Sequence, residues 1–293
     1  METRMQKIYT STRNKDIKRT PKEAILAGMA DDGGLYVYDG LDEVKLPIRD
    51  MMEMSYAQMA ETILSALLPD FTEEEVKKCV QDAYANRFDN DDITPLHIAK
   101  DVPVLELFHG PTCAFKDVGL RMLPQLMSTA IQSCKGKDVM ILTATSGDTG
   151  KAALEGFKAV EHIGITVFYP DHGVSNMQKL QMVTTSGQNT KVCAIQGNFD
   201  DAQSNVKKIF QDQEMKARLN EMNTTLSSAN SINIGRLIPQ IVYYVFAYKE
   251  MVRKGKIRFG EEINFCVPTG NYGNVLAGYY AKCMGLPVKR FLV

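Results

Sequence analysis

The sequence predicts an α/β protein in which parallel sheets are flanked by helices and preceded by a mainly helical N-terminal region. Three observations lead there. From Val102 onward, short apolar runs alternate strictly with amphipathic stretches of helical period. Before Ala99 the apolar residues recur at helical spacing, interrupted by one extended piece. The chain has 293 residues, 44% of them hydrophobic and 24% charged, which is the balance of an ordinary globular protein with room for a large core. Two domains are therefore expected, residues 1–99 mainly helical and residues 100–293 α/β.

Thr20-Pro21-Lys22-Glu23 reads as a capped helix start with proline in its first position, continued by Ala24, Ile25, Ala27 and Gly28. Gly33-Gly34 turns the chain into an extended Leu35 to Tyr38. Tyr56 to Leu68 and Thr72 to Tyr84 are two further helices; Thr72 caps the second, and Glu73, Glu74 and Glu75 lie where the helix dipole favours acids. The polar Asp89-Asn90-Asp91-Asp92 closes this region as a loop.

Val102 to Phe108 is an apolar run, and Gly119 to Met127 has helical spacing. There follow a buried strand Lys137 to Thr143, helix Thr149 to Val160, strand Ile163 to Tyr169, helix Ser175 to Thr184 and strand Lys191 to Ile195. Asp200 to Leu219 is one helix with Ala202, Val206, Ile209, Phe210 and Leu219 on one side, and after a polar loop Ile234 to Val252 is another. Strand Ile263 to Val267, helix Val275 to Met284 and strand Val288 to Val293 end the chain. Units of this length imply right-handed crossovers and a mostly parallel sheet covered on both faces.

Net charge is -1, from 34 basic and 35 acidic residues, so no overall field attracts nucleic acid or an anionic membrane. The four histidines show no paired spacing, and no metal site is expected. Six cysteines are scattered without any C-x-x-C pair, which predicts free, buried thiols in a reducing compartment. Met1 to Lys22 holds no apolar core of a secretory signal, and the longest apolar stretch, Ile241 to Tyr248, is too short to span a bilayer; a cytoplasmic location is expected.

The chemistry concentrates in four stretches. In His109-Gly110-Pro111-Thr112-Cys113-Ala114-Phe115-Lys116-Asp117 a lysine stands near a helix start, where the macrodipole disfavours a cation. Two readings are open: a surface lysine paired with Asp117, or a lysine among Phe108, Ala114 and Phe115 whose pKa is lowered by desolvation, ready to form a Schiff base. Ala144-Thr145-Ser146-Gly147-Asp148-Thr149-Gly150 follows a strand and offers hydroxyls beside helix-start amides, suited to a carboxylate or phosphate or simply to a capped turn. In Pro268-Thr269-Gly270-Asn271-Tyr272-Gly273-Asn274, successive amides form an anion nest or a tight turn, and neither G-x-G-x-x-G nor the Walker pattern is met. Ser228-Ala229-Asn230-Ser231-Ile232-Asn233 caps a helix in whose first turns Arg236 is suited to hold a phosphate.

Taken in this order the motifs, together with Thr10-Ser11-Thr12-Arg13 and Asp32-Gly33-Gly34-Leu35, resemble the threonine synthase family of pyridoxal-phosphate enzymes through nearly the whole chain. The resemblance implies the tryptophan-synthase-like fold, fold type II. It implies that Lys116 is catalytic and carries pyridoxal 5'-phosphate, and that Gly270, Asn271, Tyr272, Gly273 and Asn274 hold the cofactor phosphate. Asp148 stands where many relatives of the fold have asparagine near the cofactor hydroxyl. Thr145, Ser146, Gly147 and Thr149 would face substrate, with Asn233, Arg236 and Lys179 as further substrate-binding candidates. The implied reaction converts O-phospho-L-homoserine and water to L-threonine and phosphate, the last step of threonine biosynthesis. Two alternatives share the motifs: a phospho-lyase releasing 2-oxobutyrate, and a non-catalytic cofactor-binding fragment. Chains of this family normally continue beyond the position of Val293, so a sheet edge left uncovered is expected here. The sequence carries no signal of oligomeric state.

Overall fold

A computed structural model describes residues 8–134 and 136–293; the first seven residues of the N-terminal polar stretch lie outside it. Strand β1 (Tyr9–Ser11) is the middle of a small antiparallel sheet with β2 (Lys18–Arg19) and, further on, β3 (Tyr36–Tyr38). Only the last was expected, because strands of three and two residues are too short to show alternation. Helix α1 (Pro21–Ala27) starts as the sequence predicts: the Thr20 hydroxyl accepts from the Glu23 N–H and the Glu23 carboxylate from the Thr20 N–H. A short helix α2 (Ile48–Met51) leads to α3 (Tyr56–Leu67) and α4 (Glu73–Tyr84), both closed by capping boxes, at Ser55 and Thr72.

The hairpin of β4 (Leu96–Ala99) and β5 (Val102–Leu105) comes next, so the division expected at residue 99 falls in its turn. The described core runs across that position. Tyr56 and Tyr84 pack edge-on with centroids 5.6 Å apart, Tyr56 meets Phe246 at 5.4 Å, and the Tyr84 hydroxyl donates to the Val118 carbonyl at 3.1 Å. The N-terminal helices thus buttress helix α5 (Lys116–Cys134), whose first residue is the lysine singled out above.

Strands β6 (Asp138–Ala144), β7 (Ile163–Pro170), β8 (Thr190–Ile195) and β9 (Thr224–Ser227) form a parallel sheet in the order β8-β7-β6-β9. Ile141 lies beside Ile165 and Val167 beside Val192, with Ile141, Ile165 and Val167 fully buried. Helix α6 (Asp148–Phe157) and helix α7 (Asn176–Val183) make the crossovers, as expected. Strand β9 was not expected: Thr-Thr-Leu-Ser is too polar to read as a strand, and it lies at the sheet edge beside β6. The single helix expected over Asp200 to Leu219 is two, α8 (Phe199–Gln211) and α9 (Gln213–Glu221). Asp212 is extended (φ -72°, ψ 112°), and its carboxylate caps α9 by accepting from the Glu214 and Met215 N–H groups. The helix expected over Ile234 to Val252 is likewise divided, into α10 (Ile234–Leu237) and α11 (Pro239–Arg253), because Pro239 has no N–H to continue the ladder.

Strand β10 (Ile263–Cys266) leads into α12 (Gly273–Cys283) and pairs in parallel with β11 (Val288–Leu292), apart from the four-stranded sheet. The six cysteines are free, but the expectation that they are buried is corrected. Only Cys79 is buried, Cys193 and Cys283 are half-buried, and Cys113, Cys134 and Cys266 are exposed, the last three in loops or at element ends that the apolar pattern does not reach.

Candidate active site

Lys116 opens α5 with its side chain largely withdrawn from solvent, 19% exposed. The surface pair with Asp117 does not form. Asp117 is buried and accepts from the Thr112 N–H at 2.8 Å and the Thr112 hydroxyl at 2.7 Å, which folds the loop back on the helix start. Phe108, expected as a neighbour, is exposed and stacked on His109 instead. The ammonium sits 4.6 Å from the centroid of the Phe115 ring and 3.5 Å from the Asp148 carboxylate. Burial lowers the lysine pKa most, the Asp148 charge opposes it, and the nearby Arg236 cation adds to the lowering; the net shift is below the ordinary lysine value.

The loop from Thr145 to Gly150 presents Asp148. The buried Thr145 hydroxyl accepts from the N–H groups of Gly147 and Gly150, at 3.0 and 2.9 Å, so Thr145 shapes the loop from inside and does not reach the cavity. Gly147 has φ +143°, a conformation open to glycine, and a β-carbon there would lie 2.3 Å from the Gln178 amide nitrogen. That amide donates to Asp148 at 3.0 Å.

Arg236 approaches from α10. Gly119 allows it: a β-carbon on Gly119 would lie 2.8 Å from the Arg236 carbonyl oxygen. The Arg236 side chain is buried, donates to the Ala229 carbonyl at 2.8 Å and forms no ion pair among the described residues. Desolvation brings its pKa down to about 10. Opposite it, the loop from Gly270 leads into α12, and none of the backbone N–H groups from Gly270 to Asn274 is paired among the described residues. The Asn274 side-chain oxygen accepts from the hydroxyls of Tyr243 and Tyr244, which pins this loop to α11.

Lys116, Ser146, Asp148, Thr149, Arg236, Gly270, Asn271 and Asn274 line one cavity of about 330 Å³. Tyr272 and Gly273 face an adjoining cavity of about 480 Å³ that shares Asn271 and Ser231 with the first. Of the expected substrate contacts, Thr145 and Gly147 shape the loop without lining this cavity, and two more lie elsewhere. Asn233 is buried, donates to the carbonyls of Ile25 and Ser228 and accepts from the Gly235 N–H, which spends its amide on capping α10. Lys179 points to Asp171, 2.8 Å away. Phe115, Gln178, Phe199, Ser231 and Pro268 also line the site. Of these, Gln178 carried a readable signal, since Ser175 and Gln178 have capping-box spacing; its contact with Asp148 did not.

Solved structures with this arrangement include the PLP-bound threonine synthase of Brucella melitensis, at TM-score 0.83 and 36% identity, covering 97% of this chain and 59% of that one. The Escherichia coli threonine synthase gives TM-score 0.84 and 34% identity, covering 97% of this chain and 63% of that one. The fold is therefore that of the fold type II, tryptophan-synthase-like class of pyridoxal-phosphate proteins. A family model described as threonine synthase N terminus matches residues 8–84. Pseudomonas aeruginosa threonine synthase is 38% identical over 288 residues, 97% of this chain and 59% of the relative, and human threonine synthase-like 1 is 38% identical over 92% of this chain and 38% of the relative. Over nearly its whole length the chain is similar to threonine synthases. It spans about two fifths of the length of threonine synthase-like 1 and under two thirds of that of the threonine synthases.

Proposed function

We propose that this chain holds pyridoxal 5'-phosphate at Lys116 and serves the conversion of O-phospho-L-homoserine and water to L-threonine and phosphate. The observation that carries the reading is the convergence, in one cavity, of a lysine with lowered pKa, a buried arginine that forms no ion pair among the described residues, and three residues, Gly270, Asn271 and Asn274, of the loop with unpaired amides at a helix start. This donor set fits a phosphate-bearing aldehyde: an amine for the carbonyl, and amides of Gly270 to Asn274 for the phosphate. Asp148 stands ready for a hydroxyl or for the lysine itself.

When bound, the cofactor supplies an electron sink for carbanions at the substrate alpha and beta carbons. Lys116 Nζ is the group in the cavity able to carry a proton between those carbons, because desolvation keeps its neutral form within reach. Arg236 is fully charged at neutral pH even at a pKa of about 10, and its guanidinium suits the substrate phosphate as it leaves the gamma carbon. Water then adds at the beta carbon, which balances the phosphate lost. Ser146 and Thr149, whose hydroxyls stand at the start of α6, suit the substrate carboxylate.

The test is incubation of the purified chain with pyridoxal 5'-phosphate and O-phospho-L-homoserine. Threonine and phosphate in equal amounts support the reading; 2-oxobutyrate without threonine rejects it in favour of a phospho-lyase. Cofactor uptake without any phosphate release rejects turnover by this chain. The visible absorbance of the lysine-bound cofactor should vanish in Lys116→Ala, and its persistence would refute the lysine assignment.

A further inference from the structure

Gln178 lies outside every loop in which the chemistry was expected, yet each end of its side chain is engaged. Its carbonyl oxygen accepts from the Ser175 N–H at 3.1 Å, closing the capping box of α7. Its amide nitrogen donates to one Asp148 oxygen at 3.0 Å, while the other oxygen of Asp148 lies 3.5 Å from Lys116 Nζ. The whole amide packs against Gly147, where a β-carbon would come within 2.3 to 2.7 Å of its three heavy atoms. Asp148 has no other side-chain partner among the described residues, and its side chain is 52% exposed. A carboxylate so open to water would otherwise be free to turn outward, since an exposed ion pair gains little by itself.

We infer that Gln178 is a positioning residue, which holds the Asp148 carboxylate beside Lys116 and ties α7 to the lysine. The inference rests on Lys116 being the cofactor lysine and adds a control over its protonation. The charged groups facing that lysine are Asp148 from the loop before α6, Arg236 from α10 and Asp117 from its own helix. Asp148 is the neighbour that favours the ammonium through both charge and hydrogen bond. Releasing Asp148 therefore leaves Arg236 and burial less opposed, and the neutral amine becomes more populated at a given pH.

The experiment follows the pH profile of Lys116 acylation by acetic anhydride in the full chain freed of cofactor, read by peptide mass spectrometry. Gln178→Met keeps the volume and cannot donate; it should raise Lys116 reactivity below the profile's midpoint about threefold, in the same direction as Asp148→Asn. In the Asp148→Asn background Gln178→Met should add nothing. Ser175→Ala, which breaks the other half of the same capping box, should lower the melting temperature and leave the profile in place. A Gln178→Met profile that overlays the wild type overturns the inference, as does an equal shift in the Asp148→Asn background. Should Gln178→Met fail to fold, Gln178→Ala replaces it. Labelling needs no cofactor, so a chain that takes up no pyridoxal 5'-phosphate fails the proposed function by absorbance, separately from this result.

Discussion

Arg236 gives the sharpest test of whether the cavity is built for an anion. Its side chain is 3% exposed and its pKa falls well below the ordinary arginine value, to about 10, chiefly through desolvation. That drop corresponds to about 3 kcal/mol by which the folded environment disfavours the charge. At neutral pH, well below the folded pKa, the guanidinium is protonated in both the folded and the unfolded chain, so the penalty is present in full and does not vary with pH there. Arg236→Met removes the charge with little change in volume; it forfeits the bond to the Ala229 carbonyl and some packing, about 1 to 2 kcal/mol. The cofactor-free variant should therefore be more stable by about 1 to 2 kcal/mol, a rise of about 2 to 4 °C in melting temperature for a chain of this size. The same substitution should abolish the stabilisation that inorganic phosphate gives the wild type. Thermal melts with and without phosphate read both effects. A variant that melts several degrees below the wild type would show that Arg236 holds the fold, and the reasoning would be refuted.

Lys116→Met should flatten the pH dependence of stability on the alkaline side. The folded pKa lies below the ordinary lysine value, so the unfolded chain binds more protons between the two and wild-type stability rises with pH through that window; denaturant titrations at stepped pH check it. An unchanged slope would place Lys116 in water. Gly147→Ala meets both a positive φ and the Gln178 amide, and should cost about 2 kcal/mol or more while displacing Asp148, visible as a lower unfolding midpoint together with lost turnover. A fully active, equally stable Gly147→Ala would mean that the loop is free to relax.

The strands and helices that carry the site were legible because their apolar spacing is regular. Ile163 to Pro170, buried along one face and half-buried along the other, and Asp138 to Ala144, buried from Ile141 onward, are apolar enough to read as strands at once. Thr224 to Ser227 did not, since register beside β6, and no pattern of its own, makes it a strand. Asp212 and Pro239 were in plain view, yet the apolar stripe continued across each and masked the break. At the site, residue types pointed to Lys116, Asp148, Arg236 and the Gly270 loop, and the fold brings these to one cavity. Thr145 and Asn233 have the same chemistry but direct it inward, to Gly147 and Gly150 and to Ile25 and Ser228. A single sequence does not distinguish a hydroxyl that meets a ligand from one that closes its own loop. Gln178 shows the converse, a helix-capping residue whose second bond crosses thirty residues to Asp148.

The charges in the cavity are not balanced from within. Burial lowers the affinity of both Lys116 and Arg236 for protons, Arg236 lowers that of Lys116 further, and Asp148, half in water, offsets only part of this. The unpaired amides from Gly270 to Asn274 add partial positive charge on the far side. Burial of the two cations is a cost in the ligand-free fold, and an anionic occupant of the cavity would relieve it. Stability and ligand affinity are therefore linked here in a definite direction. A ligand present at a hundred times its Kd stabilises by about 2.7 kcal/mol, comparable to the desolvation borne by Arg236 alone. Under the proposed function the cost of holding uncompensated cations favours such a ligand, and changes that relax it, as Arg236→Met does, should stabilise the chain at the expense of binding.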